Sequence, residues 1–112
     1  MLVPSESFNR LLSALQKVPL PDELPSVEHM RAGMERFALD AADDLVTTSA
    51  VVAGVEGEWV RAPGASEEHV LLYLHGGGYV MGSPNTHRKL CGDLSRATGM
   101  LVWLPDYPLA PE

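Results

Sequence analysis

VLLYLHGGGYVMGSPNTH, residues 70–87, places the stiffest-looking stretch of the chain directly against its loosest. Val70–His75 is an apolar run without polar alternation, the pattern of a strand buried on both faces. Gly76, Gly77 and Gly78 follow at once, and no other residue loses as much backbone freedom on folding. Helix signals come next. Ser83 can cap the N-terminus, Pro84 suits the first helical position and Gly99 suits the position just past the end, with Leu90, Leu94 and Ala97 as the inward stripe. "MLVWLP", Met100–Pro105, reads as a second fully buried strand. Strand, helix and strand with a short return form a βαβ unit, whose crossover is right-handed over a parallel sheet.

Ligands of parallel sheets sit at the carboxyl ends of the strands, where this glycine run lies. Without side chains, its N–H groups can approach a bound atom closely, and bare N–H groups serve negative charge. A phosphate cradle, a dinucleotide pyrophosphate site and an oxyanion hole are the three options. The phosphate cradle fails on spacing, because Ser83 follows Gly82 and the next lysine comes only at Lys89. A dinucleotide fingerprint started at Gly76 puts Met81 where a small residue must let helix and strand pack, and the candidate ribose acid, Asp106, lies beyond Pro105. An oxyanion hole fits both spacing and neighbours, since an HGGG-type loop donates N–H groups to the transient oxyanion in lipases and esterases. A plain flexible connector would leave His75 and the Tyr79-x-x-Gly82-Ser83 sequence without a purpose.

Upstream, "LVTTSAVVAG" and "GEWVRAPG" read as two β-branched strands, and "VEG" between them allows a tight antiparallel connection; "PGASEEH" is a polar loop. The texture before Leu45 is different. Phe8, Leu11, Leu12, Leu15 and Val18 recur at helical spacing after a possible Ser5 cap. "PLPDELP" interrupts, and a second helix carries Val27, Met30, Met34, Phe37, Ala38 and Ala41 on one face after Ser26, with His29 off that face. Neither helix can bury its stripe alone, so both are expected to dock on the remainder of the chain. The expected organisation is a helical N-terminal segment over 1–44 and an α/β unit over 45–112, with about four strands.

Composition excludes several classes. The 112 residues carry a net charge of −7 and no clustered basic patch, which argues against a nucleic-acid partner. The single cysteine, Cys91, permits no internal disulfide and no cysteine zinc cluster, and its helical setting suits a packed, inert thiol. No apolar run approaches the ~18 residues of a membrane span, and the start lacks a basic region followed by an apolar one, so the expectation is a soluble cytoplasmic protein.

"HGGGYVMGS" followed by "DYPLAPE" resembles the hormone-sensitive-lipase-like branch of the α/β-hydrolases, microbial carboxylesterases with an HGGG loop and a D-Y-R-L-A-P-E segment. The likeness runs from about Leu45 to Glu112, with the helical start matching the family's first cap segment. It implies a serine ester hydrolase acting on short to medium acyl esters, with no metal or organic cofactor. Gly77 and Gly78 would supply oxyanion N–H donors, Gly76 would shape the turn, His75 would brace the loop without acting as catalytic base, and Tyr79 would line the acyl side of the pocket. Asp106, Tyr107, Leu109, Ala110, Pro111 and Glu112 are structural in that family. Pro108 stands where arginine is commoner, which removes an N–H and a guanidinium from that turn.

The family's reaction needs a serine on a G-x-S-x-G elbow, then an acid, then a histidine. None of the chain's serines (Ser5, Ser7, Ser13, Ser26, Ser49, Ser66, Ser83 and Ser95) lies between glycines at that spacing. The expectation is therefore the N-terminal part of an esterase that is inactive by itself. The competing reading is a stand-alone non-catalytic module, which the unpaired edge of a central strand would make aggregation-prone.

Overall fold

The computed structural model describes residues 4–112, so the first three residues of the helical segment expected over 1–44 lie outside it. Two short helices come first, α1 over Glu6–Leu15 and α2 over Val27–Arg36, capped by the side chains of Ser5 and Ser26. Strands β1 (Val46–Val52), β2 (Val55–Arg61) and β3 (Ser66–Leu72) follow, then helix α3 (Pro84–Thr98) and strand β4 (Met100–Pro105). The sheet order is β1-β2-β4-β3. β1 and β2 are antiparallel, β2 and β4 are antiparallel, and β3 and β4 are parallel, as the βαβ reading requires.

The hairpin turns earlier than expected. "VEG" is not the connection but the start of β2. The turn is Ala53-Gly54, both with positive φ (51° and 81°), the two-residue geometry whose twist matches a right-handed hairpin. β3 also starts earlier. Part of the expected polar loop joins the strand Ser66–Leu72: Ser66 pairs with Met100, and Glu67–His69 form a register irregularity before Val70 pairs with Leu101. Polar side chains at a sheet edge cost little when they face water, so composition misjudged that segment.

The expected burial of Val70–His75 on both faces is corrected as well. Leu71 and Tyr73 pack toward the core of Val60, Cys91, Val102 and Leu104. Val70, Leu72 and Leu74 alternate to the other face and remain half or more exposed. Trp59 and Trp103 are register partners with ring centroids 4.7 Å apart, and their place in the strand alternation puts them on that same face. Only α3 covers the sheet among the described elements, and β3 is an edge strand.

α3 keeps its expected boundaries. Ser83 caps it and forms a capping box with Thr86, Pro84 opens it, and Gly99 closes it at φ 69°. Its inward face is not the expected one. Pro84, Cys91, Gly92 and Ser95 are buried and Leu94 packs against the core, whereas Leu90 is 44% exposed and Ala97 is exposed. The buried serine is structural: Ser95 Oγ accepts from Ala62 N–H at 2.9 Å and donates to the Met100 carbonyl at 2.7 Å, stitching α3 to both neighbouring strand ends. Gly92 leaves room for Leu45, whose side chain would lie 2.2 Å from an added Cβ. Small and polar residues on the inner face are what hydrophobic periodicity cannot see. Burial pushes the Cys91 thiol up to about 11, so it stays protonated and unreactive, as expected.

The N-terminal helices dock less than expected. α1 leaves Phe8, Leu11, Leu12 and Leu15 exposed. α2 half-buries Val27, Met30 and Met34, but ends at Arg36, so Phe37 is a cap residue 82% exposed and Ala38 and Ala41 lie beyond the helix. Asp40, Asp43 and Asp44 follow, and aspartate favours local turns over helix interiors.

Candidate active site

The stretch after β3 folds into a tight turn whose backbone requires glycine. Gly77 has φ 143° and Gly78 has φ 63°. Val80 and Met81 both donate their N–H to the Gly77 carbonyl, at 3.2 and 3.1 Å. A Cβ on Gly77 would lie 1.9 Å from the Met81 carbonyl oxygen, so no other residue fits this turn without rebuilding it. A Cβ on Gly76 would meet nothing within 4 Å. Among the described residues, the N–H groups of Gly77 and Gly78 donate to no backbone carbonyl. Both glycines line a cleft of about 520 Å³, together with Leu74, His75, Gly76, Tyr79, Tyr107, Pro108 and Ala110.

His75 is almost wholly buried, at 3% exposure. Its ring is stacked between Tyr107, with centroids 4.4 Å apart, and His87, at 5.3 Å. Nδ1 lies 3.0 Å from the Gly76 carbonyl, so a proton there donates into the loop itself. The Tyr107 hydroxyl donates to the His75 carbonyl, tying the segment after β4 to the end of the β3 run. Nε2 is buried without a partner among the described residues. Gly82 closes the loop at φ 98°, and a Cβ there would sit 2.6 Å from both His75 Nδ1 and the Gly76 carbonyl. Tyr79 has φ 64°, unusual for a residue with a side chain, and its ring is 82% exposed at the cleft rim. Its carbonyl accepts from Ala110 N–H at 2.8 Å.

The sequence-predicted residues His75, Gly76, Gly77, Gly78 and Tyr79 thus border one cleft. Two residues of α2 that the sequence reading passed over also reach this region. Glu35 accepts from Ser83 Oγ at 2.5 Å and from Asn85 Nδ2 at 2.8 Å, and these two bonds hold its carboxyl below the usual range. A carboxylate there covers the start of α3, where a pyrophosphate would otherwise bind, which counts against the dinucleotide alternative. Arg31 lies one turn earlier on α2 and reaches the far side of the loop. Their i, i+4 spacing was the available signal: two charged residues on the edge of an otherwise apolar stripe.

Burial and the neighbouring His75 hold the His87 imidazole below its ordinary pKa, with the Thr86 hydroxyl 2.8 Å from Nδ1 and Tyr73 packed alongside. The unfolded chain takes up a proton near pH 6.5 that folded His87 resists, so stability is full above that pH and is lost as pH falls through it. Urea midpoints measured at pH 8 and pH 5.5 should show this loss, and His87→Gln should reduce the difference between them. An equal pH dependence in the variant assigns the effect to other groups.

Residues 71–112 match the sequence profile of an alpha/beta hydrolase fold family. An esterase of Acinetobacter venetianus is 49% identical over 61 residues, which is 54% of this chain and 20% of that protein. The crystal structure of an esterase/lipase from an uncultured bacterium is 46% identical and superposes with a TM-score of 0.86 over 96% of this chain and 37% of its own. An esterase from the bacterial hormone-sensitive lipase family is 36% identical with a TM-score of 0.79, over 98% of this chain and 37% of its own. The chain therefore spans well under half the length of these relatives. The profile and the two superpositions agree: this chain holds part of an alpha/beta hydrolase fold and is similar in sequence and structure to esterases of the bacterial hormone-sensitive lipase family.

Proposed function

We propose that this chain supplies the oxyanion loop and part of the cap of a serine carboxylic-ester hydrolase. The observation that carries the reading is the pair of N–H groups on Gly77 and Gly78, which line a cleft and donate to no backbone acceptor among the described residues. In the proposed reaction, a serine hydroxyl outside these 112 residues attacks the ester carbonyl and passes its proton to a histidine base. The carbonyl oxygen becomes an oxyanion, held by the Gly77 and Gly78 N–H groups and the N–H after the serine. Collapse expels the alcohol, which takes the proton from the histidine, and water then releases the acid from the acyl-enzyme. Gly77 and not the expected Gly76 gives the turn its shape, because among the three glycines only at Gly77 would a Cβ collide, the buried His75 ring braces it, and Tyr79 borders the acyl side. No step calls for a metal or organic cofactor. The helical segment through residue 44 acts as part of a lid over the acyl pocket, which favours short to medium chains.

The test is hydrolysis of p-nitrophenyl esters from acetyl to palmitoyl by the full-length protein that contains this segment, beside the 112-residue chain alone. Turnover by the longer protein, greatest on acetyl to hexanoyl esters, and none by the shorter chain is the expected result. Fastest turnover on palmitoyl would overturn the pocket-size reading, and hydrolysis by the 112 residues alone would overturn the placement of the nucleophile.

A further inference from the structure

α2 is joined to the glycine turn by one side chain. Arg31 Nε donates to the Val80 carbonyl at 2.7 Å and Nη2 donates to the Ala110 carbonyl at 3.0 Å. Nη1 and Nη2 also meet the two oxygens of the Glu112 carboxylate, each at 2.8 Å. The two carbonyls belong to the segments that frame the cleft, and those segments are bonded to each other through Ala110 N–H and the Tyr79 carbonyl. Val80 in turn donates to Gly77. A closed circuit results: guanidinium, Val80, the Gly77–Tyr79 turn, Ala110 and guanidinium again.

We propose that Arg31 is a positioning residue that indexes the Gly77–Gly78 donors to the N-terminal helical segment. This inference rests on the esterase reading above. The guanidinium is suited to the task because its fork is planar and rigid, with donors that point in several fixed directions at once; an ammonium is a single point donor on a flexible stem. The ion pair is the lesser part. The pair is bidentate and holds the Glu112 carboxyl well below the usual carboxylate range, but with the Arg31 and Glu112 side chains 31% and 61% exposed it is screened by solvent. The two carbonyl bonds fix geometry, because they fasten the turn on one side and the segment after β4 on the other. Glu35, four residues on, grips Ser83 and Asn85, so one face of α2 holds the α3 end of the loop between β3 and α3 at Val80 and at Ser83.

Oxyanion donors work only when held where the charge will develop, and a displacement of about 1 Å can cost ~10²-fold in rate. In the full-length enzyme, Arg31→Ala is therefore expected to lower kcat by ~10- to 100-fold with KM changed by less than about threefold. Arg31→Lys keeps the charge and loses the fork, so it should fall with the alanine variant. Glu112→Gln keeps both carbonyl bonds, so its kcat should stay within about twofold of wild type, and it serves if the Arg31 variants fold poorly. Hydrogen exchange on the same proteins should be faster at Val80, Met81 and Ala110 in both Arg31 variants and unchanged elsewhere in the sheet. Full activity in Arg31→Lys, a loss confined to KM, a lowered melting temperature with unchanged kcat, or a Glu112→Gln loss as large as that of Arg31→Ala would each overturn the proposal. If the wild-type protein hydrolyses no ester, the esterase reading fails by itself, and the exchange measurement still decides the tether: unchanged exchange at those three amides overturns it.

Discussion

Gly77→Val, made in the longer ester hydrolase proposed above, is expected to lower kcat by ~10²–10³-fold while leaving KM within a few-fold of wild type. The steric reason is local and severe. A Cβ at this position would lie 1.9 Å from the Met81 carbonyl oxygen, and the backbone φ of 143° is one that side chains rarely adopt. Relief requires the turn to open, which breaks the Val80 and Met81 bonds to the Gly77 carbonyl and moves the Gly77 and Gly78 N–H groups together. Donors that act mainly on the oxyanion are lost from the transition state more than from the bound ester, so the effect falls on kcat. Gly76→Ala is the control, since a methyl group there meets nothing within 4 Å, and it should remain near wild type. Equal losses at Gly76 and Gly77, or a Gly77 loss confined to KM, would count against the oxyanion assignment.

Leu104→Ala should destabilise the protein by ~2–5 kcal/mol, read as a lower urea midpoint at unchanged slope. Among the described residues Leu104 is the largest fully buried side chain, and it lies on β4 beside Val60, Val102 and Cys91. β4 is the central strand of the β2-β4-β3 triplet, and its Leu104 backbone pairs with Glu58 of β2, so the neighbours cannot collapse freely into the vacated space. Leu90→Ala is the contrast, because Leu90 is 44% exposed on α3 and should cost well under half as much. A comparable loss at Leu90 would mean that α3 meets the sheet through the stripe read from its periodicity.

Much of the chemistry-bearing region was legible because its signals are local. Ser83, Pro84 and Gly99 set the limits of α3 through backbone geometry that depends only on adjacent residues. Met100–Pro105 was legible as a strand because its apolar run lies inside the sheet, although Met100 and Leu101 stay half-buried and not fully buried as expected. The β3 region was not. Ser66–His69 looks like a polar loop and is drawn into the strand because Ser66 and Val70, on either side of a register irregularity, pair with β4, a partner about thirty residues away. The inner face of α3 was misread because Ser95 is buried by two long-range hydrogen bonds and Gly92 by the arrival of Leu45.

The candidate site divides in the same way. The HGGG run and the DYPLAPE segment were identifiable as motifs, and their glycine and proline content already constrained the backbone. What the motifs could not state is how they are joined: the Tyr107 hydroxyl on the His75 carbonyl, Gly82 packed beneath the His75 ring, and Arg31 spanning Val80 and Ala110.

By itself the sequence determined the order of elements, the parallel crossover and the position of the glycine turn at a strand end, since caps, breakers and hydrophobic period act over a few residues. Only the tertiary structure decided which face of α3 is buried and which side chain of α2 reaches the loop. Those outcomes depend on side chains meeting across dozens of residues, where a buried polar group is stable once its partners arrive and no local pattern announces them.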